Sequence, residues 1–122
     1  MPTLAEIGQA TYPATFHNGN KIQPNEGISM APIFRNGTAK THEYMFWEHE
    51  DNCAVRYGKW KAIKKLKDKN WQLYDMEKDR SEKYDVAAKN PALVKTLNAK
   101  WYAWANSHQV LPKGRQVDPY KK

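Results

Sequence analysis

The run from Glu48 to Asp51 is the first place in the sequence where metal binding or acid–base chemistry could occur, because it joins three carboxylates to an imidazole. Carboxylates and imidazoles are the groups that bind divalent metals and transfer protons. Residues 42–50 alternate in the manner of a β-strand, however, with Glu48 and Glu50 on one face and His49 on the other. Four ligands so arranged do not converge on one ion without a bend, so the pattern favours a polar strand end over a metal site.

Cys53 is the next candidate for chemistry, as the only thiol in the sequence. A single cysteine excludes an internal disulfide framework and a cysteine zinc site. The surrounding residues do not fit the environment of an activated thiol. We therefore interpret Cys53 as a strand residue.

The chain is basic, with 20 Lys and Arg against 13 Asp and Glu and a formal charge of +7. Its basic residues include two groups: Lys59, Lys61, Lys64, Lys65, Lys67 and Lys69, and then Lys113, Arg115, Lys121 and Lys122. Such a distribution can attract nucleic acid, a sulfated glycan or phospholipid headgroups. No helix-turn-helix, ribonucleoprotein or KH pattern accompanies it, so we favour a solvated lysine-rich face and expect no nucleic-acid partner.

Length and composition exclude several classes of protein. The 122 residues suit one compact domain, and five Trp, seven Tyr and three Phe supply anchors that a disordered polyelectrolyte lacks. No stretch approaches the ~20 apolar residues that cross a bilayer, so we expect no membrane partner. The first residues also lack the basic and then apolar pattern of a signal peptide.

The N-terminal third predicts short helices separated by a loop. Thr3 and Glu6 fit a capping box for a helix that ends at Gly8. Residues 9–27 are rich in Thr, Asn, Gly and Pro and predict a long surface connection, and residues 29–34 predict one more helical turn. Three side chains are expected to hold the connection down: Tyr12, Phe16 and Ile22.

The middle of the chain predicts an antiparallel meander of four short strands. The expected strands are residues 42–50, 54–57, 60–66 and 71–74. Gly58-Lys59 suits a tight hairpin between the second and third strands. Asp79 and Glu82 offer a second capping box, for a short helix that ends near Lys89.

The clearest element is a long C-terminal helix, with Asn90 as its cap and Pro91 as its first residue. Its apolar stripe consists of Val94, Leu97, Trp101, Trp104 and His108. A stripe at helical spacing normally covers a core, which favours a buried role for the two Trp over a sugar-stacking platform. We expect an α+β fold: a small four-stranded antiparallel sheet packed by this helix, preceded by a short helix and an irregular loop segment.

Three sequence blocks follow one another in a specific order. They are Phe46-Trp47-Glu48-His49-Glu50, Ala54-Val55-Arg56-Tyr57-Gly58-Lys59-Trp60-Lys61 and Trp71-Gln72-Leu73-Tyr74-Asp75. This order resembles the C-terminal region of the sulfatase family, the arylsulfatases of the alkaline phosphatase superfamily, where the blocks run F-W-E-H-E, A-V-R-x-G-x-W-K and W-x-L-Y-D. Met1-Pro2-Thr3-Leu4 is similar to a segment near the end of the large sulfatase domain, so the resemblance extends over residues 1 to about 112.

The resemblance implies a division of the chain. Residues 1–40 are expected to be the tail end of the large sulfatase domain with a connecting loop, residues 41–112 the C-terminal sulfatase subdomain, and residues 113–122 a flexible basic tail. The family hydrolyses sulfate esters with calcium and with a formylglycine made in a C-x-[PA]-x-R motif. Cys53-Ala54-Val55-Arg56-Tyr57 does not match that motif, and the acidic pairs of the calcium site belong to other segments. The resemblance thus implies a C-terminal fragment that is inactive alone and whose partners are an N-terminal catalytic domain and, in the whole enzyme, a sulfate ester.

The position of the first strand suggests a contact with substrate. By analogy with the family, the loop after this strand leans against the substrate mouth, so His49, Asn52 and Arg56 are expected to line the substrate rim. The alternative is a free-standing basic module that binds acidic or sulfated glycans. Because family members are commonly exported, the resemblance implies a periplasmic or secreted full-length enzyme.

Overall fold

The chain is organised in two units, which divide between His42 and Glu43 in the computed structural model. The structure describes residues 1–38, 40–108 and 110, so the predicted tail at 113–122 lies outside the described residues. The assignment of residues 1–40 and 41–112 to parts of a larger enzyme stays a prediction. None of the helices in the described ranges has the length and apolar character needed to cross a lipid bilayer.

The first unit contains two short helices, α1 (Pro2–Ile7) and α2 (Ala31–Asn36). Both carry Pro in the first turn, where its missing N–H has no intrahelical partner to lose. The α2 helix ends at Gly37, whose φ of 72° lies in the left-handed region that favours glycine. The two predicted helical segments are therefore confirmed.

The predicted capping box at Thr3 and Glu6 is wrong. The α1 helix has Met1 as its N-cap residue and no capping hydrogen bond from a side chain. The Thr3 hydroxyl accepts the backbone N–H of Met30 at 2.9 Å, and the Glu6 carboxylate pairs with Arg35 at 2.9 Å. Both side chains thus connect α1 to the segment around α2, which leaves neither to cap its own helix.

The connection between the two helices is a loop, as predicted, with one isolated β-bridge between Thr15 and Lys21. The expectation that three side chains hold it down is only partly right. Ile22 is half-buried, but Tyr12 and Phe16 are exposed. A narrow bridge with a polar tip offers no apolar surface that could cover the two rings.

The second unit contains a four-stranded antiparallel sheet in the order β1-β2-β3-β4, which confirms the predicted meander. Its strands are β1 (Tyr44–His49), β2 (Asn52–Tyr57), β3 (Trp60–Lys64) and β4 (Gln72–Asp75). Two-residue turns join the first three strands, at Glu50-Asp51 and at Gly58-Lys59. Tight hairpins need positive φ angles, and these occur at Glu50 (48°), Asp51 (69°) and Gly58 (54°).

A 17-residue helix, α3 (Pro91–Ser107), packs on one face of the sheet. Trp101 is 1% exposed, and its indole N–H donates to the carbonyl of Trp47 at 2.9 Å. The half-buried ring of Trp104 stacks on Phe46 with 5.2 Å between centroids. The apolar stripe of the helix therefore builds the core, and the α+β prediction is confirmed. The buried cluster comprises Cys53, Val55, Ala62, Trp71, Leu73, Leu97, Trp101 and Ala105.

The α3 helix starts at the predicted residue, but the predicted capping hydrogen bond from the Asn90 side chain is absent from the described structure. Pro91 is the first helical residue and Asn90 precedes it. The Asn90 side chain caps no helical N–H, because its amide turns back and donates to the carbonyl of Val86 at 3.0 Å.

The helix predicted between Asp79 and Lys89 is wrong, apart from a single 3-10 turn at Ala87–Lys89. The buried Asp79 carboxylate accepts the backbone N–H groups of Lys83 and Tyr84, each at 2.8 Å, and so closes a turn. Glu82 takes a φ of 57°, which is incompatible with a right-handed helix. Residues 76–86 are therefore an irregular segment.

The end of this segment pairs with the outer edge of the sheet. The Asp85 carboxylate accepts the backbone N–H of Leu73 at 3.0 Å, and the N–H of Val86 donates to the Leu73 carbonyl at 2.9 Å. These bonds pair the backbone N–H and carbonyl of Leu73, which face away from β3 on the edge strand β4.

Candidate binding face of the sheet

The face of the sheet opposite α3 carries the side chains that sequence analysis assigned to the substrate rim. Val55 and Ala62 point to the core, so their neighbours along each strand point the other way. We call this second side the open face. It is formed by Met45, Trp47, His49, Asn52, Ala54, Arg56, Lys61, Ile63, Gln72 and Tyr74.

His49 and Asn52 lie together at the β1–β2 turn, where they are direct cross-strand partners. The His49 side chain is 84% exposed. The Asn52 amide donates to the carbonyls of His49 at 3.0 Å and Glu50 at 3.3 Å, while its oxygen accepts the N–H of Leu66 at 3.3 Å. Asn52 thus fixes the turn, and the exposed His49 ring, which lies 4.0 Å from the equally exposed Glu50 carboxylate, is accessible to a ligand.

Arg56 lies on the same face but at a different place. It follows Asn52 by four residues on β2, a displacement of ~13 Å along the strand. Its Nε–H donates to the carbonyl of Gly58 at 3.2 Å. The structure therefore brings His49 and Asn52 together and separates Arg56 from them.

Arg56 lines a cleft of about 690 Å³ between the β2–β3 turn and the irregular segment. We call this the arginine cleft. Its lining residues are Arg56, Gly58, Lys59, Met76, Glu77 and Arg80. Among the residues that the structure describes, no carboxylate forms an ion pair with Arg56 or Arg80.

A smaller hollow of about 340 Å³ adjoins the arginine cleft on the open face. We call it the Trp47 hollow. It is lined by Trp47, Ala54, Arg56, Lys61 and Met76. Because Arg56 and Met76 line both spaces, the two lie side by side, and we call them together the groove, with an aromatic part and a cationic part.

An ion pair fixes one wall of the arginine cleft. The Lys59 ammonium lies 3.0 Å from the Asp75 carboxylate, and the Lys59 carbonyl accepts the N–H of Met76 at 2.7 Å. The hydrogen bond to Asp75 raises the pKa of Lys59, and the same bond lowers the pKa of Asp75. Both groups therefore stay charged and hold the turn against the segment that follows β4.

Asp79 fixes the other wall. The backbone N–H of Tyr84, followed by that of Lys83, lowers the pKa of Asp79, although burial acts in the opposite direction. The Lys61 ammonium also binds the Glu82 carboxylate at 2.5 Å, which ties the same segment to β3. These contacts position Arg80, which immediately follows Asp79.

Neither Arg80 nor the exposed ring of Trp47 was singled out from the sequence. Arg80 stands in a stretch that its capping pattern predicted to be helical, and its place in the cleft depends on the irregular path of residues 76–86. The alternation of β1 does place Trp47 beside His49 on one face, and that signal could have identified it.

Cys53 and the acidic run lie outside this groove. The Cys53 thiol is buried in the core, with its sulfur 3.8 Å from the carbonyl of Asp51. The Glu48 carboxylate accepts the N–H of Asp51 at 2.9 Å. Within residues 1–38, 40–108 and 110, no three His, Cys, Asp or Glu side chains gather as possible metal ligands.

Comparison with known proteins gives several partial matches, and no family model matches the chain. An uncharacterised sulfatase of Schizosaccharomyces pombe is 26% identical over 109 residues, which cover 85% of this chain and 20% of that protein. The crystal structure of Ps i-CgsB matches with a TM-score of 0.61 and 28% identity over 85% of this chain and 22% of its own. The structure of a 2-O GAG sulfatase matches with a TM-score of 0.53 and 30% identity over 88% of this chain and 23% of its own. The chain thus spans about a fifth of the length of these relatives.

Proposed function

We propose, on the premise that this chain is similar to the C-terminal region of sulfatases, that it is part of a larger sulfuric-ester hydrolase. The whole enzyme adds water across the S–O bond of a sulfate ester and releases an alcohol and sulfate. Its formylglycine and calcium belong to a catalytic domain outside these 122 residues. This chain completes the fold and lines part of the substrate rim. We propose a periplasmic or secreted location for the whole enzyme.

The apolar surface of the first unit is the observation that carries this proposal. Of the residues described there, only Ala31 is buried. Leu4 and Phe34 are 67% and 70% exposed, and further apolar side chains are exposed beside them in sequence: Met1, Ile7, Met30 and Ile33. A region with so small a core has little to stabilise it, and exposed apolar patches are typical of surfaces that another protein part covers. We propose that the catalytic domain covers this one.

The chemistry of the second unit agrees with a supporting role. Cleavage of an S–O bond needs a nucleophile and a preorganised clamp for the developing negative charge. Cys53 lies in the core beneath α3, away from the groove on the open face. The two arginines that line the cleft, Arg56 and Arg80, suit the binding of an anion better than attack on one.

The test compares this chain alone with the longer protein in which it is joined to its catalytic domain. Both are incubated with 4-nitrophenyl sulfate and calcium. We expect turnover by the longer protein and none by the chain alone. The Cys53→Ser variant of the longer protein should retain its activity, because this thiol is not the nucleophile. Turnover by the chain alone, or loss of turnover in a folded Cys53→Ser protein, would overturn the proposal.

The same protein tests the substrate rim through larger esters. His49→Ala should raise KM for a saccharide sulfate severalfold without lowering kcat, because the exposed imidazole contacts the organic part of the ester. Arg56→Gln should act in the same direction, and Lys69→Ala on an exposed loop is the matched control. Unchanged KM values for both variants across several esters would remove these residues from the rim.

A second candidate function is a free-standing basic module for acidic or sulfated glycans, and the arginine cleft favours it. Such a module must be stable alone and bind sulfated polymers with a steep salt dependence. The exposed apolar side chains of the first unit oppose this alternative, since a free-standing protein would keep them in water. We therefore place it second.

A further inference from the structure

The arginine cleft is lined by two arginines, Arg56 and Arg80, which form no ion pair with any carboxylate of the described residues. Arg56 uses its Nε–H to bind the carbonyl of Gly58, which orients the side chain and leaves its terminal N–H groups available. Arg80 comes from the irregular segment that the Asp79 carboxylate holds in place. A guanidinium carries several N–H donors in a planar fork that matches the oxygens of sulfate, phosphate and carboxylate groups. Two arginines that line one cleft favour the binding of an oxyanion there.

The adjoining Trp47 hollow adds an aromatic surface to this cationic site. Trp47 is 44% exposed, and the hollow that it lines shares Arg56 and Met76 with the cleft. The volumes of about 690 and 340 Å³ lie in the range of small-molecule sites. An indole face packs against the apolar C–H side of a sugar ring, while guanidinium groups bind its charged substituents.

We propose that the arginine cleft is an accessory binding site for a sulfate group on a saccharide chain. Arg56 and Arg80 bind the sulfate oxygens, and Trp47 contacts a neighbouring sugar ring. The displacement of ~13 Å between Asn52 and Arg56 separates this site from the His49 end of the open face. The site therefore binds a second part of a long substrate, apart from the ester at the reacting centre.

The charges around the cleft leave it cationic. Lys59 is neutralised by Asp75, and the Glu77 carboxylate lines the cleft and opposes an anion. Arg56 and Arg80 together outweigh Glu77. The choice of sulfate among the possible oxyanions rests on the proposed function. The existence of the cleft and the identity of its lining residues do not depend on that function.

The test measures binding of the 122-residue chain by titration calorimetry. The ligands are a heparin hexasaccharide, the same oligosaccharide after desulfation, and a short oligothymidylate that carries phosphate charges. We expect binding of the sulfated hexasaccharide, and binding at least about tenfold weaker for the other two ligands. Circular dichroism of each variant shows whether the fold is retained.

Matched variants locate the site. The double variant Arg56→Gln/Arg80→Gln should bind the hexasaccharide about tenfold more weakly, because two charge-assisted contacts are lost. The control Lys67→Gln/Lys69→Gln removes the same charge from an exposed loop and should weaken binding less than about threefold. Trp47→Ala should weaken binding a few fold, and Glu77→Gln should tighten it, since it removes a carboxylate from the cleft.

Several outcomes would overturn the proposal. They are the absence of binding, equal binding of the oligothymidylate, an equal loss in the lysine control, or no gain from Glu77→Gln. Binding by the chain but not by the longer protein would show that the catalytic domain covers this face, and would also overturn it. Because binding does not require hydrolysis, a protein that binds the hexasaccharide but cleaves no sulfate ester would refute the proposed function and leave the site itself standing.

Discussion

The two units of this chain differ in how much of their apolar side chains they bury. In the first unit Ala31 is buried among the described residues, while Leu4 and Phe34 face solvent. In the second unit Leu97 and Trp101 are almost completely buried against the sheet. The comparison shows that the second unit has a core of its own, whereas the first has almost none.

The difference follows from element length. The helices of the first unit have six residues each, too few to be stable without tertiary support. The α3 helix has 17 residues and presents a continuous stripe to four paired strands. Only the second unit therefore has the elements needed to close a core.

The largest expected effect tests the core of the second unit. Trp101→Ala should lower the free energy of unfolding by ~3–5 kcal/mol, because it leaves a cavity beneath α3 and removes the hydrogen bond to Trp47. Urea unfolding followed by near-ultraviolet circular dichroism measures this change. Lys95→Ala on the exposed side of the helix is the control and should stay within ~0.5 kcal/mol. A loss under ~1 kcal/mol in the Trp101 variant would mean that the core does not depend on this ring.

An intermediate effect tests the segment that the Asp79 carboxylate holds. The pKa of Asp79 is lower in the folded protein than its unfolded value of about 3.9, so its contribution to stability is present above that pH. The contribution is lost as the pH falls through the folded pKa. Asp75 acts in the same direction, because its pKa is also lowered. We therefore expect the second unit to lose stability below about pH 4.

The Asp79→Asn variant sharpens this prediction. An amide does not titrate in this range, so the variant should be less stable than the natural protein at pH 7 and should lose less stability between pH 5 and pH 3. Urea midpoints at several pH values give both curves. Parallel curves would show that Asp79 does not contribute to the acid sensitivity.

The smallest effect is expected in the first unit. Phe34→Ser should change the free energy of unfolding of this chain by less than ~0.5 kcal/mol, because the ring is already exposed. In the longer protein the same change should lower the melting temperature, since we propose that the catalytic domain covers this ring. Lys40→Ser is the polar control and should have no effect in either protein. A large loss in the chain alone would reveal a core in the first unit and remove the contrast between the units.

The sequence predicted the elements whose pattern extends over many residues. The alternation in β1 and the apolar stripe from Val94 to His108 both predicted elements that the structure contains. Such patterns are reliable because the face that packs on the core must carry apolar side chains along its whole length. The predicted side-chain caps failed. Thr3 and Glu6 contact Met30 and Arg35, which lie far away in sequence and cannot be inferred from spacing.

The candidate site shows the same limit. The common face of His49, Asn52 and Arg56 follows from strand alternation once the register is known, and the two-residue turn at Gly58 was visible in the sequence. The arginine cleft could not be predicted from the sequence, because Arg80 forms part of it. The position of Arg80 depends on hydrogen bonds from Lys83 and Tyr84 to the Asp79 carboxylate, for which the sequence pattern predicts a helix cap instead.

Each edge of the small sheet is partly covered by the protein's own groups. At β4, Asp85 and Val86 bind the backbone of Leu73, and at β1 the indole of Trp101 binds the carbonyl of Trp47. Unpaired strand edges are the template on which chains add to one another and aggregate. An edge whose groups are already partly bound offers a foreign strand fewer partners, so these contacts lower the tendency of the sheet to recruit one.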